Sequence, residues 1–232
     1  GEIELDPNDS QTVYAGTGDL RYGSWSFGAA GLLKSTDSGA TWALLGADVF
    51  SGAYPQPPGG FPQYQAIGQV EVDPRDSDNL VVGTKTGLFL SYDGGANWTG
   101  PCFTNAFSSQ RQDVTGLVVR DSGSATELVA AIGTRGFGTT VQPDLNQNGA
   151  NGIYTATLPA SGCPSWTLRT TGWPAGTGSG TPYPTNTLGR IDLGISPSNP
   201  LVIYAQVASI PTRGQLGVWR STDGGVTWTQ QS

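Results

Sequence analysis

The sequence predicts an all-β protein, a β-propeller of four-stranded antiparallel blades with about four blades present. Three observations carry this: alternating apolar strands bounded by turn formers, an eight-residue turn motif that recurs, and a composition rich in glycine and aromatics but poor in charge. The 232 residues include 35 Gly, 16 Pro, 7 Trp, 8 Tyr and 7 Phe, and only 12% are charged. That much glycine and proline borders on disorder, but the aromatics and β-branched runs supply the apolar surface a core needs. Many turns and little charge fit many short strands.

The recurring motif reads S-x-D-x-G-x-x-W. It occurs at Ser35, Asp37, Gly39 and Trp42, at Ser91, Asp93, Gly95 and Trp98, and at Ser221, Asp223, Gly225 and Trp228. The gap from Asp93 to Asp223 is more than twice that from Asp37 to Asp93, so a worn copy is expected near residue 158. The stretch Tyr154 to Trp166 fits, keeping the strand and the Trp and losing the Asp. Ahead of each motif lies a strand, a turn and a second strand. Ile3 to Pro7 leads into Val13–Gly16, Val70 to Pro74 into Leu80–Gly83, and Leu193 to Pro197 into Leu201–Tyr204; Leu117 to Asp121 followed by Leu128–Ala131 is a looser version. Alternation with a period of two, punctuated by Pro, Asn, Asp and Gly, is the strand signal. Blades are expected at about 1–47, 66–100, 113–172 and 189–232, with long loops between them.

The motif after a short strand resembles the Asp-box, or BNR repeat, of bacterial sialidases, family 74 xyloglucanase-type glycoside hydrolases and sortilin-type receptor propellers. The likeness runs over essentially the whole chain. It implies a propeller whose remaining blades come from the parent chain or another subunit, and it specifies fold more than function. In such a box the Asp accepts N–H groups of its own turn, the Gly takes positive φ, and the Trp starts the next strand and packs beneath the turn.

Composition excludes several functions. With no His there is no imidazole base, no Ser-His or Cys-His pair and no His-built zinc site, and two Cys cannot make a four-thiolate site. A net charge of −7 with only Lys34 and Lys85 as lysines argues against nucleic acid as a partner. No apolar run nears the ~18 residues of a membrane span. Cys102 follows Trp98 by four residues and Cys163 precedes Trp166 by three, so both sit near hairpins of neighbouring blades. A disulfide between them is expected, the alternative being two free thiols. Low Lys content, abundant Ser, Thr and Gly and this cystine point to an extracellular or cell-surface protein.

Strand alternation places the long connections on the face opposite the box turns, at 19–30, 48–65, 101–112, 135–151, 173–187 and 209–215. Binding sites usually form on such loops. Arg21, Tyr22, Trp25, Tyr64, Arg111, Arg135, Trp173, Tyr183 and Arg190 lie there, a mixture suited to stacking on sugar rings and bonding hydroxyls, unless the aromatics pack their own loops. For hydrolysis two carboxyl groups must flank a glycosidic bond, about 5 Å or about 6.5–9.5 Å apart. Asp19, where a strand reaches the long-loop face, is the catalytic candidate; the likeness to family 74 supports a catalytic Asp at such a place, though here it is shifted. Glu occurs only at Glu2, Glu4, Glu71 and Glu127 and the sialidase Arg-Ile-Pro signature is missing, so that likeness stops at the repeats. Asp144, Asn146 and Asn148 have the spacing of a calcium loop without its closing Glu, which makes calcium the one cofactor to consider. The leading expectation is a binding or scaffolding module for glycan or protein; the alternative is a polysaccharide-degrading glycoside hydrolase.

Overall fold

The computed structural model describes residues 1–19, 28–54, 63–102, 112–134, 151–173, 188–209 and 214–231. Four antiparallel four-stranded sheets run along the chain, each an up-and-down meander. The first holds β1 (Ile3–Asp6), β2 (Asp9–Gly16), β3 (Leu32–Ser35) and β4 (Ala43–Leu45). A short helix α1 (Ala47–Phe50) and a two-stranded hairpin, β5 (Ala53–Tyr54) with β6 (Gln63–Tyr64), follow it. The second holds β7 (Ile67–Asp73), β8 (Asp76–Thr84), β9 (Leu88–Ser91) and β10 (Thr99–Cys102), and the third β11 (Gln112–Asp121), β12 (Thr126–Thr134), β13 (Gly152–Thr157) and β14 (Thr167–Arg169). The fourth is β15 (Leu188–Ser196), β16 (Asn199–Ser209), β17 (Gly214–Ser221) and β18 (Thr229–Gln230). This is the all-β propeller-type architecture that the alternation predicts. The stretch 48–65, read as one long loop, instead contains α1 and the β5–β6 hairpin.

Two compact units contain these sheets. One comprises Gly1–Cys102 with Pro159–Cys163, the other Phe103–Leu158 with Pro164–Ser232.

The three Ser–Asp–Gly–Trp hairpins share one bonding scheme. Each Ser hydroxyl donates to the Asp Oδ1 at 2.7–2.8 Å and accepts the Gly N–H at 2.8 Å. The same Oδ1 accepts the backbone N–H of Thr41, Asn97 or Thr227 at 2.8–2.9 Å, while Oδ2 accepts that residue's side chain. Each carboxylate thus satisfies donors that no ladder reaches. Gly39, Gly95 and Gly225 have φ of 88°, 95° and 92°, a region that L side chains rarely adopt. Hydrogen bonding from Thr41 holds the Asp37 carboxyl down to about 2, and Asn97 lowers Asp93 in the same way. At Asp223 partial burial pushes upward, but Thr227 and Ser221 prevail and the net shift is down. The worn copy has no such carboxylate. Its hairpin is tethered by a Cys102–Cys163 disulfide, with Cα atoms 5.5 Å apart, and by the Tyr92 hydroxyl, which donates to the Gly162 carbonyl at 2.7 Å.

Within each unit one sheet packs on the next. In the first, Tyr14 and Leu32 from one face of sheet 1 meet Ile67, Val70, Val72, Leu80 and Val82 of sheet 2. Phe50 of α1 is the wedge between them, edge-on to Phe89 of β9 (5.2 Å) and to Trp98 (4.9 Å). In the second, Trp173 does the same, 5.3 Å from both Trp219 of β17 and Trp228. Phe50 and Trp173 each follow the fourth strand of their own blade by a few residues and insert over the next.

Candidate functional site at the end of β2

Asp19 lies just past β2, at the end of sheet 1 opposite its turns, and is partly buried. The backbone leading to it is closely braced. Thr17 Oγ1 donates to the Gly31 carbonyl (2.6 Å) and accepts the N–H groups of Ala30 (2.8 Å) and Gly31 (3.1 Å). The Thr17 carbonyl accepts the Ile67 N–H at 3.0 Å. A Cβ at Gly18 would stand 2.9 Å from Ala66 Cα, so the chain passes where no side chain fits. One hydroxyl therefore ties the strand end to Ala30 and Gly31.

Beside this frame lies a buried polar group that sequence reasoning missed. The Gln65 backbone accepts the Ala29 N–H at 2.7 Å, and its side-chain amide donates to Thr86 Oγ1 at 2.5 Å. Gln65 Oε1 is buried without a partner among the described residues. The backbone N–H of Thr86 donates to Thr84 Oγ1, whose hydroxyl caps the Gly87 carbonyl at 2.8 Å. Between these threonines Lys85 is almost fully buried. A Gln and a Lys standing at the ends of two strands were the available signal. Asp48, exposed on α1, is a further carboxylate of this unit.

The other sequence candidates fare unevenly. Trp173 is a core side chain with 5% exposure, its ring held against Trp219 and Trp228, so it does not offer a face to a sugar. It follows β14 so closely that its side chain turns inward to the joint instead of outward with the loop. Arg190 is exposed and already paired, its Nε donating to Asp192 Oδ1 at 2.6 Å. Tyr64 belongs to β6. Arg21, Tyr22, Trp25, Arg111, Arg135 and Tyr183 lie outside the described residues, as do Asp144, Asn146 and Asn148 of the calcium reading. Among the described residues no three His, Cys, Asp or Glu side chains are grouped to hold a metal ion.

No family model matches the chain. In an alignment of 139 positions that covers 53% of its length, it is 31% identical to a xyloglucanase of Hypocrea jecorina (strain QM6a), of which the alignment covers 16%. Two solved structures share the fold across the whole chain: a GH74 xyloglucanase from Xanthomonas campestris, with a TM-score of 0.59 and 22% identity, and an ancestral GH74 enzyme, with 0.58 and 19%. The chain spans 30% and 24% of those two proteins. Glycoside hydrolase propellers are thus what this chain is similar to. That corrects the leading expectation of a non-enzymatic binding or scaffolding module, since the xyloglucanase likeness favours the hydrolase alternative. The cystine fits an extracellular setting.

Proposed function

We propose that this chain is part of a secreted glycoside hydrolase of the xyloglucanase kind, acting on a β-glucan polysaccharide, and that its Ser–Asp–Gly–Trp hairpins are Asp-boxes locking the blades. The likeness to a xyloglucanase over 139 residues is the observation that carries this reading. In it, Asp19 is one of two carboxyl groups flanking the scissile bond, and the partner carboxyl and much of the glycan surface come from loops outside the described residues. Without His, carboxylates are the groups left to act as acid, base or nucleophile. The Thr17 brace holds the strand end on which the Asp19 backbone sits, which is what a positioned carboxylate requires. Calcium at Asp144, Asn146 and Asn148 would brace a loop and is not part of the chemistry.

The test is Asp19→Asn in the full-length protein, measured as reducing ends released from xyloglucan. We expect turnover to fall by about two to four orders of magnitude with the thermal midpoint and polysaccharide retention unchanged. Turnover equal to that of the parent removes Asp19 from the chemistry.

A further inference from the structure

The second strands of the first two blades end in the same way. Gly16-Thr17 closes β2 and Gly83-Thr84 closes β8. In each, the threonine hydroxyl donates to the carbonyl of the glycine just before the third strand, Gly31 at 2.6 Å and Gly87 at 2.8 Å. It also accepts the N–H of the residue preceding that glycine, Ala30 at 2.8 Å and Thr86 at 3.1 Å. The two latches share these bonds but enclose different lengths of chain. The second encloses only Lys85 and Thr86, the first the whole stretch 18–30, in which Asp19 stands. Counted from the latch threonine, Gly18 takes the place of Lys85.

Gln65 joins the two latches. Its carbonyl accepts the Ala29 N–H beside the first at 2.7 Å, and its side-chain amide donates to Thr86 Oγ1 of the second at 2.5 Å. Its own N–H donates to the Gly52 carbonyl at 3.2 Å, tying the same residue to the segment after α1. The two residues that follow it meet the strand end that carries Asp19. The Ile67 N–H donates to the Thr17 carbonyl, and a Cβ on Gly18 would come within 2.9 Å of Ala66 Cα. Gly18, with φ of 90°, therefore lets Ala66 rest directly against the backbone that leads into Asp19. Stability alone does not account for a glutamine here. The side chain is 7% exposed and its Oε1 is buried without a partner among the described residues. An unmet buried acceptor costs stability, and an apolar side chain of the same length would avoid that cost. What the glutamine adds over such a side chain is one directional bond, to Thr86.

From this we infer that Gln65 is a positioning residue: through Ala66 it fixes the backbone of Gly18 and Asp19 against the second blade, and so sets where the Asp19 carboxyl stands over a bound polysaccharide. For its effect on turnover the inference rests on the proposed hydrolase reading; for its effect on the backbone it rests on the contacts of Gln65 and Ala66 alone. Gln65 does not itself touch substrate, since Nε2 is committed to Thr86 and Oε1 is buried. Its contribution is to orientation, where a misplacement of about 1 Å costs on the order of a hundredfold in rate. Cutting the bond to Thr86 lets the two strand ends move independently. It leaves the Thr17 latch, and with it the first blade, in place.

The test is Gln65→Met in the full-length protein, which keeps the length of the side chain and removes the bond. Thr86→Val cuts the same bond from the second blade, should reproduce every effect, and decides the matter if Gln65→Met does not fold. Hydrogen exchange read by mass spectrometry reports on the backbone. Peptides spanning Gly16–Asp19 should take up deuterium several-fold faster than in the parent, while those from β3 and β4 keep the parent rate and the thermal midpoint does not fall. Unchanged exchange over Gly16–Asp19 overturns the inference. Faster exchange throughout sheet 1 with a lowered midpoint overturns it as well, by making Gln65 a general support of the fold. Release of reducing ends from xyloglucan reports on the consequence. We expect kcat to fall on the order of ten- to a hundredfold at unchanged KM, and Gln65→Met to cause no further loss in an Asp19→Asn background. Equal losses in both backgrounds mean that Gln65 does not act through Asp19, and overturn the inference. If Asp19→Asn alone leaves turnover at the parent level, it is the hydrolase reading of Asp19 that fails, and the exchange measurement still decides the positioning.

Discussion

The two blade joints solve one packing problem with different materials. The joint of the first unit has a Phe–Phe–Trp cluster and is sewn at its margin by side chains: Ser77 to Asp6, Asn8 Nδ2 to the Asp73 carbonyl at 3.4 Å, and Lys34 to the Gly94 carbonyl at 3.4 Å. The joint of the second unit has three tryptophans and a stitch in its interior. There Thr115 Oγ1 donates to the Ile191 carbonyl and accepts the Ile191 N–H, both at 3.0 Å. The margin bonds are partly exposed, whereas the interior one is buried and its loss leaves backbone groups unpaired. Larger aromatics and a buried polar bond concentrate the second joint's stability in fewer residues; the first spreads it over more and weaker contacts.

The largest expected effect is therefore in the second unit. Trp228→Ala removes a ring that is 3% exposed and should cost about 3–5 kcal/mol. Trp42→Ala, at the same motif position but uncovered, should cost within about 1 kcal/mol. Denaturant melts of the two variants measure the contrast, and equal losses would mean that the hairpin, not the joint, sets the value of the Trp. Next comes Thr115→Val, which keeps the shape but strands both Ile191 groups; a loss of about 1–3 kcal/mol is expected. A neutral result in the same melts would show that the interior stitch contributes no more than the margin bonds.

The smallest effect is a pH dependence, to which Glu4 and Asp37 of the first unit contribute with opposite signs. Burial, with the Glu2 charge adding to it, pushes the Glu4 carboxyl up to about 7. A raised carboxyl pKa favours the folded state while it is protonated, so stability falls as pH climbs from about 4.5, where the unfolded chain ionises, to about 7. The lowered Asp37 acts oppositely. Its contribution is complete above 3.8 and fades as pH falls toward about 2. The thermal midpoint should peak in mild acid, and Glu4→Gln should remove the decline on the alkaline side only. A decline that persists in that variant would assign it to another group.

The hairpins were legible in the sequence because all their chemistry is local: Ser, Asp, Gly and Trp act within eight residues, and each bond partner lies at most four positions away. Alternation likewise marked the second strand of every blade. The joints were not legible, because whether Trp173 faces solvent or Trp219 depends on a strand that arrives some forty residues later. The clue was positional: Phe50 and Trp173 stand at nearly the same distance past the fourth strands of their blades. At the candidate site, the composition left carboxylate chemistry and the strand end singled out Asp19, but Gln65 and Lys85 are buried by tertiary contacts that no local pattern encodes. The first expectation of a binding module failed for a related reason: a repeat that specifies the scaffold carries no information about what the loops do.

The Cys102–Cys163 bond closes a covalent circle around the three strands β11, β12 and β13. A protease that nicks the backbone once anywhere between the two cysteines produces two polypeptides that still travel as one molecule. A single cut between the two cysteines would show only after reduction. The cystine thus acts as insurance on the blade that has no carboxylate lock.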